Sequence, residues 1–115
     1  MKKAALILAL LGIVMLTALS ARNKSAMVSI QIDPNPMTKA TNVTLLFNQA
    51  IPISVTIETD TGMLVKTLYT GQSNELMVLP WDRYGNDGSY TPEGKYTVTV
   101  TEGRYTSTKK TLILK

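Results

Sequence analysis

From residue 29 onward, apolar and polar residues alternate with a period of two, and β-branched residues and threonines dominate. That pattern belongs to half-buried strands rather than helices. Ser29 to Asp33 reads as a short first strand, stopped by Asp33-Pro34-Asn35-Pro36, because proline cannot donate to a ladder. Thr41 to Phe47 follows, with Val43, Leu45 and Phe47 on one face. Ile53 to Thr59 turns Ile53, Val55 and Ile57 inward and Ser54, Thr56 and Glu58 outward. Leu64 to Tyr69 pairs back on it across Asp60-Thr61-Gly62, with Gly62 at a positive-φ position. A second turn is expected over Gly71 to Asn74, before Leu76 to Trp81, where Met77, Leu79 and Trp81 share a face. Arg83 to Pro92 is the longest loop. Lys95 to Thr101 places Tyr96, Val98 and Val100 inward and three threonines outward; Glu102-Gly103 turns the chain into Thr106 to Leu114. Seven short strands at regular turn spacing predict an all-β, immunoglobulin-like or fibronectin III-like antiparallel sandwich over residues 29–115.

The start of the chain is different. Lys2 and Lys3 precede an uncharged apolar run from Ala4 to Leu19, and Ala18 and Ser20 supply small residues before Ala21. This is the layout of a secretory signal peptide, residues 1–20, followed by a short flexible lead-in over residues 21–28. The alternative is an uncleaved anchor, but the run falls short of the roughly 20 apolar residues a span needs. No cysteine follows it, so a lipid-anchored cysteine is excluded. The expected location is outside the cytoplasmic membrane: periplasm, cell surface or medium.

Composition narrows the chemistry. The 115 residues contain no Cys and no His, which removes disulfides, thiolate metal sites and the usual base near neutral pH. The net charge of +4 includes Lys2 and Lys3, so the mature chain carries only +2. No block of like charge exceeds Lys109-Lys110, which argues against a nucleic-acid surface. Asp60 and Asp82 both precede turns, and nothing in the sequence desolvates them as an acid/base pair. The sequence predicts no enzyme and no cofactor.

The loop after Trp81 holds the remaining candidates. Asp82, Asn86 and Asp87 could supply oxygen ligands to calcium, but the spacing is not that of a calcium loop, and hydrogen-bonded turns with Gly88 at positive φ are the better reading. Trp81 is in register with Met77 and Leu79 and is expected in the core. Tyr84 and Tyr90 are the candidates for contact with a partner, either a protein or a polysaccharide.

Two stretches carry a resemblance. The hairpin Val55-Thr56-Ile57-Glu58-Thr59-Asp60-Thr61-Gly62-Met63-Leu64-Val65-Lys66-Thr67-Leu68 resembles a "v-x-I-x-D-x-x-G-x-x-V-x-x-L" element. Trp81-Asp82, Gly88 and Pro92-x-Gly94-x-Tyr96 resemble a "W-D-G-x-D-x-x-G-x-x-x-P-x-G-x-Y" element. Both belong to the immunoglobulin-like domain of the bacterial flagellar hook-capping protein FlgD, with relatives among the C-terminal sorting domains of the type IX secretion system. Arg83 stands where that pattern has its first glycine, and Gly85 where it has its second aspartate. The resemblance implies the same sandwich, with Gly62, Trp81, Asp82, Gly88, Pro92, Gly94 and Tyr96 as turn and core positions. It also implies a non-catalytic module in a bacterial envelope, surface or appendage assembly, with sorting or anchoring as an alternative and polysaccharide binding as another. Protein partners would dock on loops or edge strands, with self-association through an edge or through the lead-in. Membrane contact would come only through an uncleaved leader.

Overall fold

In the computed structural model, residues 25–104 and 106–115 are described; the signal segment 1–20 lies outside them. Seven strands form: β1 (Met27–Asp33), β2 (Thr41–Phe47), β3 (Pro52–Thr59), β4 (Leu64–Gln72), β5 (Leu76–Trp81), β6 (Gly94–Glu102) and β7 (Thr106–Leu114). They make two antiparallel sheets, β1-β2-β5 and β4-β3-β6-β7. No helix among the described residues is long and apolar enough to cross a membrane.

The period-two pattern decides which side chains fill the space between the sheets. Val43, Leu45 and Phe47 from β2 meet Val55 and Ile57 from β3, Val98 and Val100 from β6, and Leu112 and Leu114 from β7, all buried. Each such side chain contributes about 1.5–3 kcal/mol by leaving water. With no disulfide in the chain, this packing and the ladders are what hold the sheets together. Met37, from the β1–β2 connection, is fully buried in the same cluster, a position the strand alternation does not predict.

Three details differ from the sequence reading. β1 begins at Met27, and Ala26 is buried, so residues 25–28 are part of the domain rather than a free lead-in. The cause is Glu102: its carboxylate accepts the Ala26 amide at 2.7 Å and the Ser25 hydroxyl. Met27 pairs with Phe47 of its own chain. β4 continues through Gly71 to Gln72, opposite Ile53 and Pro52, so the turn there is confined to Ser73–Glu75. Ser73 is buried, donates its amide to Ile51 O at 2.8 Å and accepts the Ile51 amide at 3.1 Å. Thr99 points outward but is buried, because Glu58 lies over it and accepts its hydroxyl at 3.2 Å.

The pairings give the sandwich two poles. Met27 opposite Phe47, and Glu102 opposite both Ile53 and Thr106, mark one. Trp81 opposite Thr41, and Gly94 opposite Leu114, mark the other. Ser25 thus sits at the first pole and Lys115 at the second. Every candidate residue of the Trp81 loop lies at the second pole.

Candidate functional site

The loop of residues 82–93 is a small hairpin of its own. Tyr84 and Tyr90 bridge in antiparallel fashion; Gly85 N donates to Ser89 O at 2.9 Å and Thr91 N to Arg83 O at 2.9 Å. Gly88 N closes the tip on Gly85 O at 3.0 Å, and Gly88 has φ +84°, as a type I turn with a following left-handed residue requires. The hairpin is then stitched to β4: Asn86 N donates to Val65 O at 2.8 Å, and Asn86 Oδ1 accepts Thr67 N at 3.2 Å. Gly85 permits that approach, since a Cβ there would stand 3.1 Å from Val65 O and 3.2 Å from Asp87 Oδ1.

The three oxygen donors read as a calcium candidate are committed to different partners. Asp82 Oδ1 accepts Tyr84 N at 3.0 Å, and Asp87 Oδ1 accepts Ser89 N at 2.9 Å and Ser89 Oγ at 2.7 Å, while Asn86 serves β4. Those bonds hold the Asp87 carboxyl below its usual range, the Ser89 amide contributing most. Among the described residues no three acidic side chains converge on one point. The oxygens cap turns, as Asx residues in loops do.

Trp81 is buried, and its Nε1 donates to Tyr84 O at 2.9 Å, which satisfies the indole and fixes the start of the hairpin. Tyr96 is buried at the start of β6, and its hydroxyl donates to Pro92 O at 2.8 Å, four residues upstream. This is the tyrosine-corner arrangement of immunoglobulin-like sandwiches. Burial raises the Tyr96 phenol above its ordinary value, with Arg83 opposing and Asp60 reinforcing the shift.

Arg83 gives the pole its rigidity. It is the one non-glycine residue with positive φ among the described residues, at +75°, in the glycine slot of the family pattern. Its side chain is buried and donates to Thr91 O from Nε at 2.8 Å and to Lys115 O from Nη1 at 2.6 Å; Nη1 also donates to Thr38 O. One guanidinium therefore holds the 82–93 hairpin, the β1–β2 connection and the end of β7. The sequence marked Arg83 only as a departure from the pattern; its buried role depends on three carbonyls that are remote in sequence.

Tyr84 and Tyr90 are both exposed, their rings 5.2 Å apart at 65° to one another. The Arg83 guanidinium covers the Tyr90 ring at 4.8 Å. The two rings meet edge to face, with one face of Tyr90 taken by Arg83.

The edge strands are also largely engaged. Asn86 occupies the outer edge of β4. On β7, Met37 N donates to Ile113 O, Lys115 N donates to Met37 O, and Asn35 bonds Thr111 O and Ile113 N. Lys110 reaches from β7 towards Ile30 O of β1, and Pro80 interrupts the donors of β5. Part of the outer edge of β4 and the C-terminal half of β7 are thus occupied by the chain itself.

A groove of about 450 Å³ lies between the β3–β4 turn and the 82–93 hairpin. Met63, Leu64, Val65, Pro92 and Tyr96 line it, with Asp87 as the one charged lining side chain among the described residues. Met63 and Leu64 are 68% and 57% exposed, high values for large apolar residues on a sandwich. In the sequence, Leu64 marks only the start of the returning strand and Met63 only a place in the family-like hairpin. Their placement directly after Gly62, out of step with the inward positions, was the available signal.

Comparison with known proteins agrees with this geometry. The profile of the FlgD Ig-like domain matches residues 21–106. Among solved structures, dimeric latent PorU from Porphyromonas gingivalis is similar with a TM-score of 0.66 at 20% identity, over 80% of this chain and 10% of that one. PorZ, described as an essential bacterial surface component of the type-IX secretion system of the same organism, is similar with a TM-score of 0.53 at 26% identity, over 76% of this chain and 11% of that one. The chain thus spans about a tenth of each of these larger proteins. No curated protein sequence matches it.

Proposed function

The chain belongs to the FlgD Ig-like domain family, and on that footing we propose that it is an exported, non-catalytic module acting as an adaptor or structural component of a bacterial envelope, surface or appendage assembly. The observation that carries this is the second pole. There a rigid loop scaffold, tied by Arg83, presents the apolar groove with Met63 and Leu64 exposed, while the polar side chains around it cap turns. Such an arrangement suits protein contact, where binding residues on loops are held by a stable frame. The signal-like segment 1–20 supports export. Intact mass and cell fractionation test the reading: a chain starting at Ala21 that co-sediments with a larger envelope or surface assembly is the expected result. A full-length chain free in the cytoplasm would refute it.

The likeness to PorZ favours a second reading, in which the domain sorts or anchors a protein at the outer surface. Deleting residues 106–115 cannot test it, because β7 carries Leu112 and Leu114 of the core. Lys109→Glu with Lys110→Glu alters the exposed half of β7 and leaves those core residues in place; unchanged surface retention in that variant argues against sorting through this strand.

A further inference from the structure

The groove at the second pole has a chemical preference. Its walls are largely apolar, and among the described residues its one charged lining residue is an acid, Asp87. Asp60, on the turn that forms one wall, acts electrostatically on Tyr96, and Glu93 is exposed beside Pro92. Among the described residues no Lys or Arg lines the groove, in a chain that is basic overall. Arg83 lies behind it, with its guanidinium committed to the Thr91, Lys115 and Thr38 carbonyls and the Tyr90 ring. Of the two Asp87 carboxylate oxygens, only Oδ1 accepts a hydrogen bond from the described residues. Oδ2 is left to outside donors, and the Ser89 bonds favour the carboxylate form.

The walls are also set in advance. Thr59 N donates to Met63 O at 2.8 Å, Met63 N to Thr59 Oγ1 at 3.0 Å and Gly62 N to Thr59 O at 3.0 Å, which fixes one side. The Asn86–Val65 and Gly85–Ser89 bonds fix the other. A preformed groove spends little of its binding free energy on ordering itself.

We propose that this groove binds an extended segment of a partner protein that places an aliphatic side chain among Met63, Leu64 and Pro92, with a neighbouring lysine or arginine on Asp87. This rests on the adaptor reading and names the chemistry of its partner. The aliphatic group supplies most of the affinity by leaving water. The exposed ion pair supplies selectivity that is modest and screened by salt.

The test is amide chemical-shift titration of the isotopically labelled protein with three peptides: acetyl-Thr-Leu-Arg-Thr-amide, its Leu-Glu counterpart and its Ala-Arg counterpart. The Leu-Arg peptide should shift Met63, Leu64 and residues 85–89 and bind about two- to fivefold more tightly than the Leu-Glu peptide at low salt, a margin that closes at high salt. Asp87→Asn should erase the margin while the Met63 shifts persist; Met63→Ser should weaken both peptides. Equal binding of Leu-Arg and Leu-Glu peptides to the unaltered protein, shifts elsewhere only, or concentration-dependent shifts without peptide, which signal a second copy as occupant, overturn the proposal. Photo-crosslinkers placed separately at Met63 and at Val78, an exposed residue of β5, tell this apart from failure of the adaptor reading in the cell. A crosslink from Met63 to an aliphatic-basic segment of another protein supports both readings. One from Val78 alone overturns the groove and leaves the adaptor. None from either overturns both.

Discussion

The guanidinium of Arg83 lies 4.8 Å from the centre of the Tyr90 ring. The contact comes from opposite arms of one small hairpin, and it covers the only buried cation among the described residues. Behind the ring, the same guanidinium serves carbonyls from three separate parts of the chain, so the hairpin is rigid for a reason located in one side chain.

Arg83 also holds a backbone conformation that disfavours any residue with a Cβ, at a cost of about 1–2 kcal/mol. Arg83→Ala keeps that cost and loses every side-chain bond, so a loss of about 2–4 kcal/mol is expected in urea unfolding. Arg83→Gly loses the same bonds but relieves the strain. It should therefore be the more stable of the two by about 1 kcal/mol. An alanine variant at least as stable as the glycine variant would refute the account.

Glu102 fixes the opposite pole by accepting the Ala26 amide and the Ser25 hydroxyl. Glu102→Ala leaves the buried Ala26 amide without its acceptor and should cost about 1–3 kcal/mol. In hydrogen exchange, protection should fall at Ala26 and Met27 and persist in β6.

Tyr96 sets an alkaline limit. Burial raises its phenol above 10.0, so the folded state favours the protonated form. Its contribution is complete below the unfolded value and is lost as pH rises through the folded one. Unfolding free energy should therefore decline above about pH 10. Tyr96→Phe should flatten that decline and lower stability by about 1 kcal/mol at neutral pH, through the lost bond to Pro92.

Asp87 responds at the other end of the scale. Its carboxyl titrates below 3.8, so the hairpin tip keeps its Ser89 bonds at neutral pH and loses them only as acid protonates the folded carboxylate. The Ser89 amide shift should follow that titration. Ser89→Ala should move the Asp87 titration upward by removing the hydroxyl donor. An unmoved midpoint would show that the hydroxyl bond does not matter in solution.

Gly85→Ala tests the stitch to β4. The added methyl would press on Val65 O and Asp87 Oδ1 at 3.1 and 3.2 Å. Exchange at the Asn86 amide should accelerate, with a stability loss of about 1 kcal/mol. Unchanged exchange there would mean that the hairpin accommodates the methyl without leaving the edge.

The strands were legible because alternation is a local signal: Val43, Leu45 and Phe47, or Tyr96, Val98 and Val100, announce a buried face with no knowledge of what lies opposite. The turn roles of Gly62, Asp82 and Gly88 were legible for the same reason. The rest depends on contacts remote in sequence. Met37 is buried because the β1–β2 connection crosses to β7, and Arg83 is buried because three distant carbonyls meet there. Residues 25–28 join the fold through Glu102, 76 positions from Ala26. The groove arises from the approach of two loops, so neither segment discloses it alone.

The positions of Ser25 and Lys115 at opposite poles have a mechanical consequence. Tension applied through those residues draws β1 along β2 and β7 along β6, parallel to the strands. Ladders pulled in that direction must slip many bonds at once, whereas ladders pulled apart sideways unzip one bond at a time. Glu102 grips the chain where it enters, and the Arg83 guanidinium grips it at Lys115. Linked in series between two other bodies, the domain would carry load as a stiff spacer, and the first events under force would be release of those two grips.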